Sequence, residues 1–258
     1  MTNKVTLVGG PTAVLDIAGL RIITDPTFDQ PQVYQHPIAG PVVKNTGPAF
    51  TPEELGKIDI ALASHEHIDN LDYAGREFLN HVPYVFTTKD VADQFGDNVV
   101  GLVEYSSQTV PLPKGGELTI TAVPAHHGPE GTWQVLGPVV GFVLTGPGVP
   151  TVYVSGDNSE LDVVSEISAK FPSIDIAVLF VGGAKFDAIA DGSYITLSNE
   201  RALEAAKILG AKKVIAVHED SWDHFSQNAQ QIRDIFEADG LGSAIIALKP
   251  GEFADLEL

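Results

Sequence analysis

The sequence predicts an α/β sandwich in which two β-sheets pack together and helices cover their outer faces. Short apolar runs separated by tight Gly-containing turns open the chain, which is typical of an antiparallel meander. After residue 50, strand-like apolar runs alternate with helix-like segments, as in layered α/β proteins. The chain shows neither a repeat of fixed period nor a linker-like stretch, so we expect a single domain over residues 1–258.

Local patterns in the first half predict the elements one by one. The meander comprises strands over residues 5–8, 13–17 and 20–24, and the Pro- and Gly-containing stretch 29–50 is predicted to be a loop. Thr51-Pro52-Glu53-Glu54 has the N-cap, the proline and the acidic first turn of a helix. The further predictions are a strand over 58–63, a helix over 72–81, a strand over 82–87, a short helix over 88–95 and a strand over 100–105.

The second half continues the alternation. Ser198 as N-cap and Gly210 at the C-terminal end define a helix from Asn199 to Leu209. The other predictions are strands over 117–123, 138–145 and 150–155, a helix over 158–170, strands over 174–180 and 214–217, a helix over 225–239, and one or two short strands in 244–258.

Composition limits the function. With 15 basic and 34 acidic residues the formal charge is −19, which argues against binding to nucleic acid or to an anionic membrane. The chain has no cysteine, so disulfides, iron–sulfur clusters and thiolate-bound zinc are excluded. Neither a signal-like N-terminal segment nor an apolar run of ~18–20 residues is present, so we expect a cytoplasmic protein. Its expected partner is a small-molecule substrate, and the oligomeric state is open, a homo-oligomer being one alternative.

Four apolar strands are each followed by histidine or aspartate. Residues 58–63 lead to the turn Ser64-His65-Glu66-His67-Ile68-Asp69, and residues 118–123 lead to Pro124-Ala125-His126-His127. Residues 152–154 lead to Ser155-Gly156-Asp157, and residues 214–217 lead to His218. Imidazole and carboxylate are ligands for zinc and related cations, and four such segments in one chain predict a shared catalytic metal centre.

The order His-x-His-x-Asp, His, Ser-Gly-Asp, His resembles that of the metallo-β-lactamase superfamily. The resemblance covers about residues 4 to 225 and includes Gly9-Gly10, Thr24-Asp25-Pro26 and Trp222-Asp223-His224-Phe225. It is similar in these details to the branch of ascorbate-6-phosphate lactonase and its uncharacterised hydrolase relatives. The resemblance implies a four-layer αββα sandwich.

The resemblance also implies a ligand set. His65, His67 and one of His126 or His127 would hold a first metal. We prefer His127 to His126, because the family ligand usually stands directly before a Gly-Pro type turn, here Gly128-Pro129. Asp69 and His218 would hold a second metal, and the Asp157 carboxylate would bridge the two.

One departure concerns the second metal. The superfamily usually has a histidine after the aspartate of the motif, where this chain has Asn70. An amide oxygen is a weak zinc ligand compared with imidazole. The second metal is therefore weakly bound, or is a harder ion such as manganese or iron, or is absent. We accordingly expect one or two divalent ions, with zinc as the first choice.

These features predict a hydrolase in which a metal-bound hydroxide cleaves a small ester, lactone or phosphoester. Asp69 is expected to orient the nucleophile and to carry a proton to the leaving group. The branch resemblance favours a lactone, and a phosphodiesterase is the first alternative. A metal-binding or sensing protein with weak catalysis is the second alternative. A di-iron redox protein is disfavoured, because such relatives usually have a carboxylate at the position of His67.

Weaker candidates surround this set. We predict that His224, with Trp222 and Phe225, lines the pocket and binds a substrate oxygen; the alternative is that this segment starts the last helix. Phe28 and Tyr34 would form a substrate wall or pack into the core. Lys185 follows the strand that ends near residue 180, where it would meet an anionic substrate, but we prefer the alternative of a solvated surface lysine. The sequence gives no role to His36 and His81.

Overall fold

A computed structural model describes residues 3–258, in which two seven-stranded sheets and one two-stranded hairpin are formed. The strands are β1 (Lys4–Gly9), β2 (Thr12–Ile17), β3 (Leu20–Thr24), β4 (Gln32–His36), β5 (Gly40–Lys44), β6 (Ile60–Leu62), β7 (Tyr84–Thr88), β8 (Val99–Leu102), β9 (Ser107–Pro111), β10 (Glu117–Ala125), β11 (Val139–Gly146), β12 (Val149–Val154), β13 (Ile176–Phe180), β14 (Lys213–Val217), β15 (Ile245–Ala247) and β16 (Phe253–Asp255). The helices are α1 (Pro52–Leu55), α2 (Tyr73–Leu79), α3 (Lys89–Ala92), α4 (Trp133–Leu136), α5 (Leu161–Lys170), α6 (Asn199–Leu209) and α7 (Ala229–Ala238), with a 3₁₀ turn at Ala190–Gly192.

The two large sheets pack face to face. The first has the strand order β16-β1-β2-β3-β6-β7-β8 and the second β15-β14-β13-β12-β11-β10-β9. Alternate side chains point to opposite faces of a strand. In β13, for example, Val178 and Phe180 enter the core between the sheets, whereas Ala177 and Leu179 face the helices.

Helices complete the sandwich on both sides. Helices α1, α2 and α3 bury Leu55, Phe78 and Val91 against the first sheet. Helices α5, α6 and α7 cover the second sheet, with residues such as Ile167 and Phe236 in that core. Burial of these apolar faces removes them from water and is the main force that holds the four layers together. The predicted αββα sandwich is confirmed.

Parallel strands place the polar turns at one edge. In the second sheet β12, β13 and β14 run parallel, and β10 has the same direction as β12 because β11 is antiparallel to both. Their C-terminal ends precede His127, Asp157 and His218. In the first sheet β6 is parallel to its neighbours β3 and β7, and its C-terminal end precedes His65.

The stretch 29–50 was wrongly predicted to be a loop without strands, since it contains the antiparallel hairpin β4–β5. The alternating Val33-Tyr34 and Val42-Val43 pairs around a turn at residues 37–39 were the missed signal. The last helix was also predicted too early: α7 begins at Ala229 after the Asn228 cap, so residues 222–225 do not start it.

The termini and lengths of other elements differ little from prediction, apart from β9 and α4, which the sequence patterns did not indicate. Within residues 3–258, we find no helix whose length and hydropathy would allow it to cross a membrane.

Candidate metal centre

The strand-end segments bring six side chains into two adjoining groups. His65, His67 and His127 form the first group, in which one ligand atom per residue lies within 4.8 Å of the others. Asp69, Asp157 and His218 form the second group by the same criterion. All six residues of the predicted ligand set are therefore present in these two groups.

Hydrogen bonds fix the proton on each imidazole of the first group. His127 Nδ1 lies 2.7 Å from the Ile195 carbonyl oxygen, and His67 Nε2 lies 3.0 Å from the Leu136 carbonyl oxygen. A carbonyl oxygen only accepts, so these two nitrogens carry the protons. The unprotonated His127 Nε2 and His67 Nδ1 then face each other at 3.2 Å. Two lone pairs at this distance fit a cation between them.

His65 is held by a relay from a buried carboxylate. The Ser64 hydroxyl donates to Asp25 Oδ2 at 2.6 Å and so accepts from His65 Nδ1 at 2.8 Å. His65 Nε2 is left buried without a hydrogen-bond partner. Such outer hydrogen bonds set the tautomer and direction of metal-binding histidines. In the sequence Asp25 is recognisable only as part of Thr24-Asp25-Pro26, a pattern that does not indicate this contact.

In the second group one imidazole lies between two carboxylates. His218 Nε2 is 3.5 Å from Asp69 Oδ2 and 3.5 Å from Asp157 Oδ1, and both of its ring nitrogens are buried without a hydrogen bond. The backbone of His218 has φ of 67°, a conformation uncommon outside glycine, and its N–H donates to the Gly10 carbonyl oxygen at 2.8 Å. The tight turn between β1 and β2 therefore helps to aim this side chain.

Asp157 faces both groups. Its Oδ2 lies 3.5 Å from His127 Nε2 and 3.8 Å from His65 Nε2, while Oδ1 faces His218. One carboxylate thus offers one oxygen to each group. Imidazole and carboxylate donors with buried unpartnered nitrogens fit divalent cations of the zinc type, and three imidazoles plus a shared carboxylate make a suitable first site.

Asn70 directs its amide nitrogen toward two buried carboxylates. Its amide Nδ2 donates to Asp25 Oδ2 at 2.9 Å and to Asp157 Oδ1 at 3.1 Å. Because both neighbours are carboxylate oxygens, the amide must present its donor end to them. Asn70 Oδ1 is buried without a hydrogen-bond partner. Asn70 thus contributes a hydrogen bond that positions Asp157, where the family motif usually has an imidazole.

Burial sets the charge state of His65 and His127 in the first group. It lowers the pKa of His127 to about 4 and that of His65 well below the usual 6.5. Both rings are consequently neutral at pH 7, which is the state that binds a metal. Burial alone would raise the pKa of Asp69, but the His218 imidazole beside it and the hydrogen bond with His224 lower that pKa well below its usual value, so Asp69 stays ionised.

His224 and His126 stand outside the two groups. His224 Nε2 lies 2.8 Å from Asp69 Oδ2, and its ring stacks on Phe186 at a centroid distance of 4.6 Å. His224 does not line the cavity described below, and its hydrogen-bond contact is with Asp69. His126 stacks on Trp133 at 4.2 Å and lies in neither group, whereas His127 lies in the first.

A cavity of about 310 Å³ opens above the two groups, with His67, Asp69 and His127 in its lining. The hairpin β4–β5 and the segments around residues 136 and 184–195 form its walls, which include Tyr34, Gln35, His36, Ala39, Val42, Glu66, Ile68, Tyr73, Leu136, Ala184, Phe186, Ile189 and Ile195.

The walls revise several minor predictions. His36, to which the sequence gave no role, lines the cavity. Tyr34 lines it as well, which agrees with the first of its two predicted alternatives, a wall of the substrate pocket. Phe28 instead packs on Phe78 in the core at 5.0 Å, and His81 pairs with Glu77 on the surface. Lys185 is exposed and lies over the Tyr194 ring. Contacts between segments distant in the chain built these walls, and no local pattern indicated them.

Comparisons with known proteins agree with this arrangement. The family model described as "Beta-lactamase superfamily domain" matches residues 20–218. The UPF0173 metal-dependent hydrolase of Thermococcus onnurineus is 25% identical over 212 residues, which cover 82% of this chain and 88% of that protein.

Solved structures share the fold. The isothiocyanate hydrolase from Delia radicum gut bacteria superposes with a TM-score of 0.80 at 22% identity, over 99% of this chain and 100% of that one. A structure described as a "possible metal-dependent hydrolase" from Veillonella parvula gives a TM-score of 0.82 at 16% identity, also over 99% and 100% of the two chains.

Proposed function

Since this chain belongs to the beta-lactamase superfamily and is a metal-dependent hydrolase of that fold, we propose that it binds two divalent ions in its two ligand groups and hydrolyses a small ester or lactone. The superfamily prediction is confirmed by the family match. The narrower resemblance to ascorbate-6-phosphate lactonase stays a prediction. The observation that carries the proposal is that Asp157 presents one oxygen to each group.

The proposed ligands follow from the free donor atoms. The first ion would be held by His65, His67 and His127, the second by Asp69 and His218, with Asp157 shared. Zinc is the first choice for the all-imidazole group, whereas the carboxylate-rich group also suits manganese or iron. When bound, such a pair would lower the pKa of water to about 7 and polarise the substrate oxygen.

The chain's own residues supply orientation and proton handling. Asp69 lines the cavity and is ionised, so its carboxylate can accept a hydrogen bond from the attacking water and fix its direction. His224 holds Asp69 through its Nε2 and is therefore a positioning residue in this proposal. The predicted contact of His224 with a substrate oxygen is replaced by this role.

An ester or lactone is preferred to a phosphoester because of the cavity wall. Phosphoryl groups carry charge that Arg or Lys side chains usually meet. Among the described residues that line the cavity, none is arginine or lysine. A phosphodiesterase remains the alternative that the experiment below distinguishes, since a metal pair by itself also supports phosphoryl transfer.

The test combines elemental analysis with a substrate panel. Purified protein should contain two equivalents of divalent metal and should hydrolyse members of a panel of aryl esters, lactones, phosphodiesters and an isothiocyanate. The isothiocyanate is included because one protein of similar structure is described as an isothiocyanate hydrolase. We expect His67→Ala and Asp69→Ala to lose bound metal and at least about a hundredfold in kcat/KM, with an unchanged circular dichroism spectrum.

His81→Ala is the matched control, because His81 is a surface histidine whose side chain is 73% exposed. It should retain both metal and activity. Near-full turnover in His67→Ala or Asp69→Ala would contradict the proposal. Tightly bound metal without turnover on the whole panel would favour a sensor, and oxygen-bridged iron with a visible absorption band would favour a redox protein.

A further inference from the structure

We propose that the cavity selects an uncharged substrate and binds an apolar group of it directly beside the scissile bond. This inference rests on the proposed hydrolase function and names the substrate class of the same site. Three features of the cavity support it: the chemistry of the walls, the absence of a cationic wall residue, and the attachment of the walls to the ligand histidines.

Most of the residues that form the cavity walls are apolar or aromatic, the exceptions being Gln35, His36 and Glu66. The walls are contributed by the hairpin, by α4 and by the segment after β13, and include Tyr34, Val42, Leu136, Phe186, Ile189 and Ile195. Phe186 and Leu136 are only partly buried, so they retain apolar surface that a ligand can cover. Covering such surface favours binding by about 25 cal/mol per Å² removed from water.

The described walls of the cavity offer no cation to an anionic substituent of the substrate. The Glu66 carboxylate lines the cavity, and no described lining residue is lysine or arginine. The buried Lys44 is not a free cation, because its Nζ is 2.8 Å from Asp72 Oδ2. The net charge of −19 adds repulsion at longer range.

His36 also brings no positive charge. Its Nδ1 accepts the backbone N–H of Ala39 at 2.9 Å, so this nitrogen has no proton and the ring is neutral. The Nε2–H of this tautomer can serve as a hydrogen-bond donor. A neutral donor in an apolar wall suits a carbonyl or ether oxygen better than a carboxylate or phosphate.

The apolar walls are attached to the ligands themselves. The carbonyl oxygen of Leu136 accepts from His67, and that of Ile195 accepts from His127. Phe186 stacks on His224, which holds Asp69. Leu136, Phe186 and Ile195 line the same cavity as His67, Asp69 and His127, so a substrate bound at the ligand groups can place a substituent against them.

The experiment compares two aryl esters of equal length. Aryl hexanoate ends in a methyl group, whereas the aryl monoester of adipic acid ends in a carboxylate. We expect kcat/KM to be at least about tenfold higher for the hexanoate, and to rise about fourfold for each methylene added from acetate to butyrate. Equal or faster hydrolysis of the carboxylate-ended ester would overturn the inference.

A matched pair of variants locates the selectivity in the wall. Leu136→Lys places a cation in the cavity and should raise the ratio of adipate-monoester to hexanoate kcat/KM by about tenfold. Val135→Lys adds the same charge one residue away, at a side chain that is 70% exposed and does not line this cavity, so it should leave the ratio within about twofold. Equal effects of the two variants would contradict a wall-based selection.

A binding measurement separates this inference from the proposed function. If metal-loaded protein hydrolyses no panel member, the hydrolase proposal fails, and titration calorimetry on metal-free protein then decides the cavity. Hexanamide should bind at least about tenfold more tightly than adipic acid monoamide, its carboxylate-ended counterpart. Equal binding, or tighter binding of the charged amide, would overturn the proposed selection.

Discussion

The two ligand groups at the floor of the cavity differ in chemistry and in support. The first consists of three imidazoles, each with its proton directed to an oxygen of Ser64, Leu136 or Ile195. The second consists of two carboxylates and one imidazole whose ring nitrogens have no hydrogen-bond partner in the structure. The first group is thus a neutral, fixed set of nitrogen donors, and the second is an anionic set dominated by oxygen.

This difference suggests that the two groups prefer different metal ions. Imidazole-rich sites suit zinc, whereas carboxylate-rich sites also accept harder ions such as manganese. Asn70 strengthens the contrast, since it donates to Asp157, whereas the histidine usual at this position would add a second nitrogen donor to the second group. Asp157 is the point where the two groups meet, so a change there should affect both, and a change elsewhere should affect one.

Replacement of Asp157 should have the largest effect. Asp157→Ala removes the carboxylate that faces both groups, so both metal equivalents should weaken and kcat/KM should fall by about a thousandfold or more. Elemental analysis after dialysis measures the first effect and steady-state kinetics the second. His127→Ala and His218→Ala serve as controls that should each weaken one equivalent first. Loss of only one equivalent from Asp157→Ala would show that the carboxylate is not shared.

Replacement of Asn70 should have a smaller and selective effect. Asn70→Ala removes the hydrogen bonds to Asp25 and Asp157. Loss of such an outer contact typically lowers metal affinity by roughly ten- to a hundredfold. Titration calorimetry should show this loss mainly in the weaker equivalent. Asn80→Ala, at the exposed end of α2, is the control. Unchanged affinity for both equivalents would remove the positioning role.

The smallest of the expected effects is a change in how the free energy of unfolding depends on pH, and it reports on His127 of the first group. The pKa of His127 is about 4 when folded and near 6.5 when unfolded, so the unfolded chain binds more protons between these values. The contribution of His127 to the free energy of unfolding of metal-free protein therefore falls as the pH falls from about 6.5 to 4, by at most about 1.4 kcal/mol per pH unit.

Two buried carboxyls act in the opposite sense, because burial raises the pKa of Asp25 to about 7 and that of Glu219 to about 8. The informative quantity is therefore the difference between the parent chain and His127→Gln in urea unfolding across this pH range. The variant should show a lower loss of stability on acidification. Parallel pH profiles of the two proteins would contradict a neutral, buried His127.

Local patterns predicted the fold because its elements have clear signals. The meander turns, the capped helix that begins after Ser198 and the apolar strands before each ligand segment are all encoded within a few residues. The hairpin β4–β5 was missed because its short strands form a separate two-stranded sheet, with a weak alternating pattern and polar residues between.

The sequence by itself determined the chemistry of the centre: which histidines and aspartates follow strands, the exclusion of thiolate ligands, and the departure at Asn70. Only the tertiary structure decided how these residues are used. It placed His127 instead of His126 in the first group, turned the Asn70 donor toward Asp157, and brought the hairpin over the cavity. The physical reason is that residue type fixes which atoms can bind or donate, whereas distances between segments far apart in the chain fix which of them meet.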